Sequence, residues 1–318
     1  MKKIGIGYEN YKEFIDDDMY YIDKTLLIRD IIQLGGKVTL FTRPRRFGKT
    51  LALSMLRTFF ELEYDSEGNN VYNKKYFEGK KIMDASPVIL EKMGKYPVIN
   101  LSLKSAKQPD FKTSFIKMRE DIVSEIRRHD YLLKSENLSD EERFELKELI
   151  KPLEISMLRD DVVFEEERGR FSTSLKFLSS CLKKHHGTNV IILLDEYDVP
   201  LENAYYSGFY DEMVGFIRSL FESALKTNDA LELAVVTGCL RISKESIFTG
   251  LNNLKVNSIR DFTFNEAFGF TQEEVSKMLS DYGLEDKIAE MEASFSAKMQ
   301  EKEKDLLIDI KAYKGLLL

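Results

Sequence analysis

Apolar residues fall into two patterns along this chain. In the first they stand side by side in short runs: Val38-Thr39-Leu40-Phe41, Val190-Ile191-Ile192-Leu193-Leu194 and Leu231-Glu232-Leu233-Ala234-Val235-Val236. Short apolar runs bounded by polar residues fit strands buried on both faces, as in a parallel sheet covered by helices. Tyr96-Pro97-Val98-Ile99-Asn100-Leu101-Ser102-Leu103 reads as another strand, entered through a proline. A fifth is expected over 258–264. In the second pattern apolar positions recur every three or four residues. Leu26, Leu27, Ile28, Ile31 and Ile32 mark one helix, with Asp23 as its expected N-cap. Phe111, Phe115, Ile116, Met118, Ile122 and Ile126 mark another. Ser139-Asp140-Glu141-Glu142 opens a third with capping-box character. Further helices are predicted over 49–61, 171–182, which Gly187 would stop, and 211–226, and after Thr271-Gln272-Glu273-Glu274. Strands alternating with helices predict an α/β fold with a central, mostly parallel sheet and a helical insertion at about 104–185.

The first apolar run leads into Arg43-Pro44-Arg45-Arg46-Phe47-Gly48-Lys49-Thr50, and then directly into the helical Leu51-Ala52-Leu53. This matches the phosphate-binding pattern G-x-x-x-x-G-K-[ST] except that Arg43 replaces the first glycine. In such a loop the backbone N–H groups and a helix N-terminus attract phosphate. The expected contacts run over Arg45, Arg46, Phe47, Gly48, Lys49, Thr50 and Leu51. Lys49 would act on the outer phosphates, and the Thr50 hydroxyl would bind Mg²⁺. A Gly-Lys-Thr that merely opens a helix is the plainer alternative.

A second signal decides between them. Val190–Leu194 ends in Asp195-Glu196-Tyr197-Asp198, which puts an acidic pair at the C-terminal end of a buried strand. Asp195 there would hold Mg²⁺, and Glu196 would orient and deprotonate water. Thr237, at the end of the next strand, is placed as a sensor of the terminal phosphate. Arg241 and Lys244 follow, and could add positive charge to a transition state or serve as surface ion-pair partners.

Composition narrows the surroundings. The chain has 318 residues, 43% of them hydrophobic, and a net charge of −7 with both signs interspersed. That argues against wholesale coating of nucleic acid, though not against a local basic patch. Cys181 and Cys239 lack metal-ligand spacing and read as reduced core residues of a cytoplasmic protein. His185-His186, at a helix end, read as surface. Neither a signal peptide nor a membrane-length apolar run is seen in the sequence.

Several segments together resemble the prokaryotic AAA-ATPase-like family. They are Tyr21-Ile22-Asp23-Lys24-Thr25, Arg43 to Thr50, Leu194-Asp195-Glu196-Tyr197-Asp198-Val199-Pro200, and Thr237-Gly238-Cys239-Leu240-Arg241-Ile242-Ser243-Lys244-Glu245-Ser246-Ile247-Phe248, followed by Gly250-Leu251-Asn252-Asn253-Leu254 and Phe268-Gly269-Phe270-Thr271. In that family the loop stands as Arg-Pro-Arg-Arg-Phe-Gly-Lys, so Arg43 is a family trait. The resemblance implies one P-loop NTPase domain over about 1–285, with ATP and Mg²⁺ as cofactors. Family members commonly continue into a module resembling the PD-(D/E)XK nucleases. Here 286–318 reads instead as a charged helical tail. An ATPase is the leading expectation. A nucleotide-gated interaction protein, acting on a protein partner or as a homo-oligomer, is the second. A nucleic-acid-associated ATPase, suggested by the arginines of the loop, is the third.

Overall fold

A computed structural model describes residues 1–64, 71, 73–152, 160–240, 247–248 and 252–284. The chain divides into two compact units, one of residues 4–268 and one joining residues 1–3 to 269 onward. The smaller holds α10 (Gln272–Asp281), started by the reciprocal capping box of Thr271 and Glu274, and Tyr282 Oη donates to the Lys2 carbonyl.

The larger unit is built on a five-stranded, all-parallel sheet among the described residues. Its strands are β1 (Val38–Thr42), β2 (Val98–Ser102), β3 (Val190–Asp195), β4 (Leu231–Gly238) and β5 (Leu254–Asn257), in the order β2-β3-β4-β1-β5. Alternation along each strand splits the apolar runs between two layers. Val190, Ile192 and Leu194 face α5 (Phe111–Arg128), α7 (Asp161–His186) and α9 (Tyr210–Phe221). Ile191 and Leu193 face α2 (Leu26–Leu34) and α3 (Lys49–Phe60). The remaining α-helices among the described residues are α1 (Tyr11–Asp16), α4 (Pro87–Leu90), α6 (Asp140–Leu149) and α8 (Val199–Ser207). Among the described residues no helix is long and apolar enough to cross a membrane.

Three expectations shift. The fifth strand is Leu254–Asn257, not 258–264. Ser258 N and Oγ both donate to Asp261 Oδ2, which folds that segment into a turn, and Phe264 takes a left-handed φ of 63°. Helix α7 begins at Asp161 rather than near 171, because the Asp160 carboxylate caps Val162 N and Val163 N. The polar run from Glu165 to Arg170 hides that start in the sequence. Helix α2 begins at Leu26, and Asp23 caps the preceding turn by accepting from Thr25 N and Thr25 Oγ1. The tail at 286–318 lies outside the described residues.

Arg43 is buried, at 2% exposure. Its guanidinium donates to the carbonyls of Thr42 (3.0 Å), Asn257 (2.9 Å) and Phe264 (3.2 Å) and lies 5.4 Å from the Phe268 ring centroid. Arg43 therefore ties the end of β1 to the end of β5 and to the turn beyond it. Arg43→Ala strands three carbonyls and is expected to cost ~3 kcal/mol in denaturant unfolding. A loss under ~1 kcal/mol would contradict this role.

The three histidines of the chain gather around Tyr131. Its hydroxyl lies 3.0 Å from His129 Nδ1 and 2.9 Å from His186 Nε2, and its ring is 5.2 Å from that of His185. The histidine pair is thus half-buried in a polar network rather than plain surface. Burial lowers all three pKa values, that of His186 from 6.5 to about 4 with help from His185 and His129. Beside them, burial alone would push the Glu125 carboxyl up, but His129 and Arg128 bring it down to about 2.

Folding thus favours the neutral imidazoles. Their contribution is complete above the ordinary histidine value and is lost as pH falls from about 6.5 towards 4. Urea midpoints are expected to drop across that window, by on the order of 2 kcal/mol for His186 after allowing for its partial exposure. His186→Gln should flatten the drop. An unchanged profile would contradict this.

Candidate nucleotide-binding and catalytic site

Because every strand is parallel, the loops after β1, β2, β3 and β4 meet at one edge of the sheet, where ligands of α/β folds bind. The loop from β1 turns through two left-handed residues, Arg46 (φ 68°) and Gly48 (φ 76°), before α3 starts at Lys49. Arg43 is not among the positive-φ residues. The turn is made at the far end of the loop, and the arginine in place of the first glycine acts as a strut. Phe47 and Leu51, both half-buried, pack against the core on the α3 side and fasten the loop to it.

Lys49 is buried at 7% exposure, and its Nζ donates to the carbonyls of Arg43 and Pro44, each at 3.0 Å. It also lies 3.4 Å from Cys239 Sγ. Thr50 Oγ1 donates to Asp195 Oδ2 at 2.6 Å. The other oxygen, Oδ1, accepts from Thr237 Oγ1 and from Glu196 N, the latter at 3.0 Å. Thr50 and Thr237, 187 positions apart in the chain, thus meet at one carboxylate that is only 5% exposed.

The strand order explains the meeting. The strand that separates β1 from β3 in space is β4, which brings Thr237; β2, which comes between them in sequence, lies at the sheet edge beyond β3.

Glu196 is half-buried with a left-handed φ of 53°. Burial, then the neighbouring Asp195 charge, raises its pKa, while Lys104 and Lys49 oppose the shift. A carboxylate held this way is a better proton acceptor than a free one. Arg45 and Arg46 are exposed, and Arg45 reaches Glu202 of α8 at 3.3 Å. Arg241, expected as a further cation, lies outside the described residues, as does Lys244.

Three residues not anticipated from the sequence also stand here. Asp198 is 1% exposed; its Oδ2 accepts from Cys239 N and Leu240 N, both at 2.8 Å, and its Oδ1 has no hydrogen-bond partner among the described residues. It shapes the turn after β4, where a Cβ on Gly238 would come within 2.7 Å of Asp198 Oδ1 and 2.5 Å of the Tyr197 ring. Cys239 is half-exposed beside Lys49 and is not the core residue its apolar neighbours suggested; Cys181 is the buried cysteine. Lys104, just beyond β2, places its charge near Asp195 and Glu196. A lysine after a strand carries no motif, whereas Asp198 sat within the quoted Asp-Glu-Tyr-Asp run.

A family model described as "Predicted AAA-ATPase" matches residues 5–248. Among curated proteins, the "Uncharacterized protein in vnfD 5'region" of Azotobacter chroococcum mcd 1 is 28% identical over 282 residues, which cover 88% of this chain and 45% of that protein. The chain therefore spans under half the length of this relative. No solved structure gives a significant match. The family match takes in the Arg43–Thr50 loop, the Asp195-Glu196 pair and Thr237, and the chain belongs to the AAA-ATPase-like family.

Proposed function

We infer that this chain binds ATP with Mg²⁺ at the Arg43–Thr50 loop and hydrolyses the β–γ phosphoanhydride bond. The observation that carries this is the meeting of Thr50, Thr237 and Glu196 N on Asp195, next to Lys49 at the start of a twelve-residue helix.

The donor set fits a hard divalent ion: one hydroxyl and one carboxylate, with phosphate oxygens and water left to complete an oxygen shell. Thr50 and Asp195 would hold it. Among the described residues no cluster of three or more His, Cys, Asp or Glu could hold a metal ion; oxygens of the triphosphate would complete this shell. Bound there, Mg²⁺ would neutralise charge on the β- and γ-phosphates.

The side chains divide the remaining work. Lys49 leaves the Arg43 and Pro44 carbonyls for phosphate oxygens, while amides at the start of α3 face the same group. Glu196 takes a proton from water as the water attacks the terminal phosphorus. Thr237 passes the state of the terminal phosphate to Asp195 through its hydroxyl.

A second reading, a nucleotide-gated interaction protein, is favoured by one observation. Helix α3, which carries Lys49, runs into Glu61, which is buried and paired with Arg128 of α5 in the helical insertion. Movement of α3 on binding would reach that insertion directly. The two readings differ in turnover, not in binding.

Lys49→Ala is expected to weaken MgATP binding by roughly a hundredfold or more in isothermal titration. Glu196→Gln should keep affinity within about threefold and lower turnover on the order of 10²-fold or more. Wild-type affinity in Lys49→Ala would contradict the site. Binding without turnover in the wild type would favour the second reading.

A further inference from the structure

Most cations around the loop are already committed. Arg43 is spent on three carbonyls and Arg45 reaches Glu202. Lys49 is the phosphate lysine of the loop itself. Lys104 is placed differently. In β2, Ser102 lies in register with Asp195 of β3, and Leu103 N donates to the Asp195 carbonyl at 3.1 Å. Leu103 is thus level with Glu196, and Lys104 emerges one residue further along at the same edge of the sheet. Its charge is within electrostatic reach of Glu196 and Asp195, though Glu9 acts on it more strongly.

Lys104 Nζ is held by Glu9 Oε1 at 2.9 Å, and the two side chains are 63% and 64% exposed. A pair this exposed contributes little to stability and exchanges readily for a stronger anion. A triphosphate seated on the loop would be that anion. Its terminal group would lie between Lys49 and Glu196, within the field of a lysine on a flexible stem.

We propose that Lys104 is a second cation of the nucleotide site, parked on Glu9 and drawn to the terminal phosphoryl group when a triphosphate binds. This rests on the ATPase reading above. In the reaction the water oxygen forms a bond to the terminal phosphorus and the bond to the bridging oxygen breaks. The electron pair of that bond leaves on the diphosphate, and the water proton passes to Glu196. Lys104 offsets charge on the terminal phosphoryl oxygens from the side on which water attacks. That complements Lys49, which acts from the loop. It also supplies a positive charge from within the chain.

The proposal separates the two nucleotides. ADP has no terminal group for Lys104 to meet, so its affinity is independent of the residue. The test is isothermal titration of a non-hydrolysable MgATP analogue and of MgADP into wild type, Lys104→Ala, Lys104→Arg and Glu9→Gln, with turnover measured alongside. Lys104→Ala should weaken the analogue roughly tenfold, leave MgADP unchanged and lower kcat at least about tenfold. Lys104→Arg should restore most of both, since it keeps the charge. Glu9→Gln should tighten the analogue about two- to fivefold by freeing the lysine. Equal loss for both nucleotides, or loss for neither, with an unchanged melting midpoint, would overturn the role of Lys104 and leave the ATPase reading intact. A wild-type protein that binds neither nucleotide would overturn both.

Discussion

A single buried carboxylate holds the loop-bearing edge of this sheet together. Asp195 stands at the end of a strand buried along its whole length, so its position is set by the core rather than by a loop. One of its oxygens takes the Thr50 hydroxyl and the other takes the Thr237 hydroxyl and Glu196 N. Each bond crosses to a different part of the fold: the helix after β1, the end of β4, and the turn that aims Glu196. A buried carboxylate with this many donors is satisfied without a counter-charge. The same set, with the Thr50 proton turned away, would present oxygens to a cation. The edge is thus pre-shaped by the groups that would do the work.

The other supports keep that edge rigid. Arg43 fixes β1 to β5 and the following turn through three carbonyls, with Asp261 of that turn supplying nearby opposite charge. At the opposite end of α3, Glu61 accepts from Arg57 at 2.7 Å and pairs with Arg128, which also binds Glu125 at 2.6 Å. Glu125 in turn accepts from Asn100 N of β2 at 2.8 Å. The helix that begins at the phosphate loop therefore ends in a buried ionic network joined to the sheet and to the helical insertion. Such networks fix register more than they add stability. Here that means α3 cannot slide without disturbing α5.

Much of this was legible in the sequence because it rests on local pattern. Continuous apolar runs gave four of the strands, and three-to-four spacing gave the helices of the insertion. The loop, the Asp195-Glu196 pair and Thr237 are motif residues at strand ends, where position follows from topology. What escaped depends on tertiary approach. Leu254–Asn257 is too short and too mixed to stand out, and becomes a strand by pairing with β1. Arg43 looked like a member of a cationic loop, yet its side chain turns inward to carbonyls from 214 and 221 residues away. Lys104 gains meaning only from the register of β2 on β3. Cys239 was hidden by apolar neighbours that line the strand before it, and Tyr131 and His186 come together from 55 residues apart.

The central claim is that Asp195 and Thr50 make nucleotide binding depend on a divalent cation. The most direct measurement is ATP affinity by isothermal titration with Mg²⁺ and with EDTA, in wild type and in Asp195→Ala. The account predicts that Mg²⁺ tightens ATP binding to wild type at least about tenfold and that this gain disappears in Asp195→Ala. An equal gain in both proteins, or none in wild type, would contradict it.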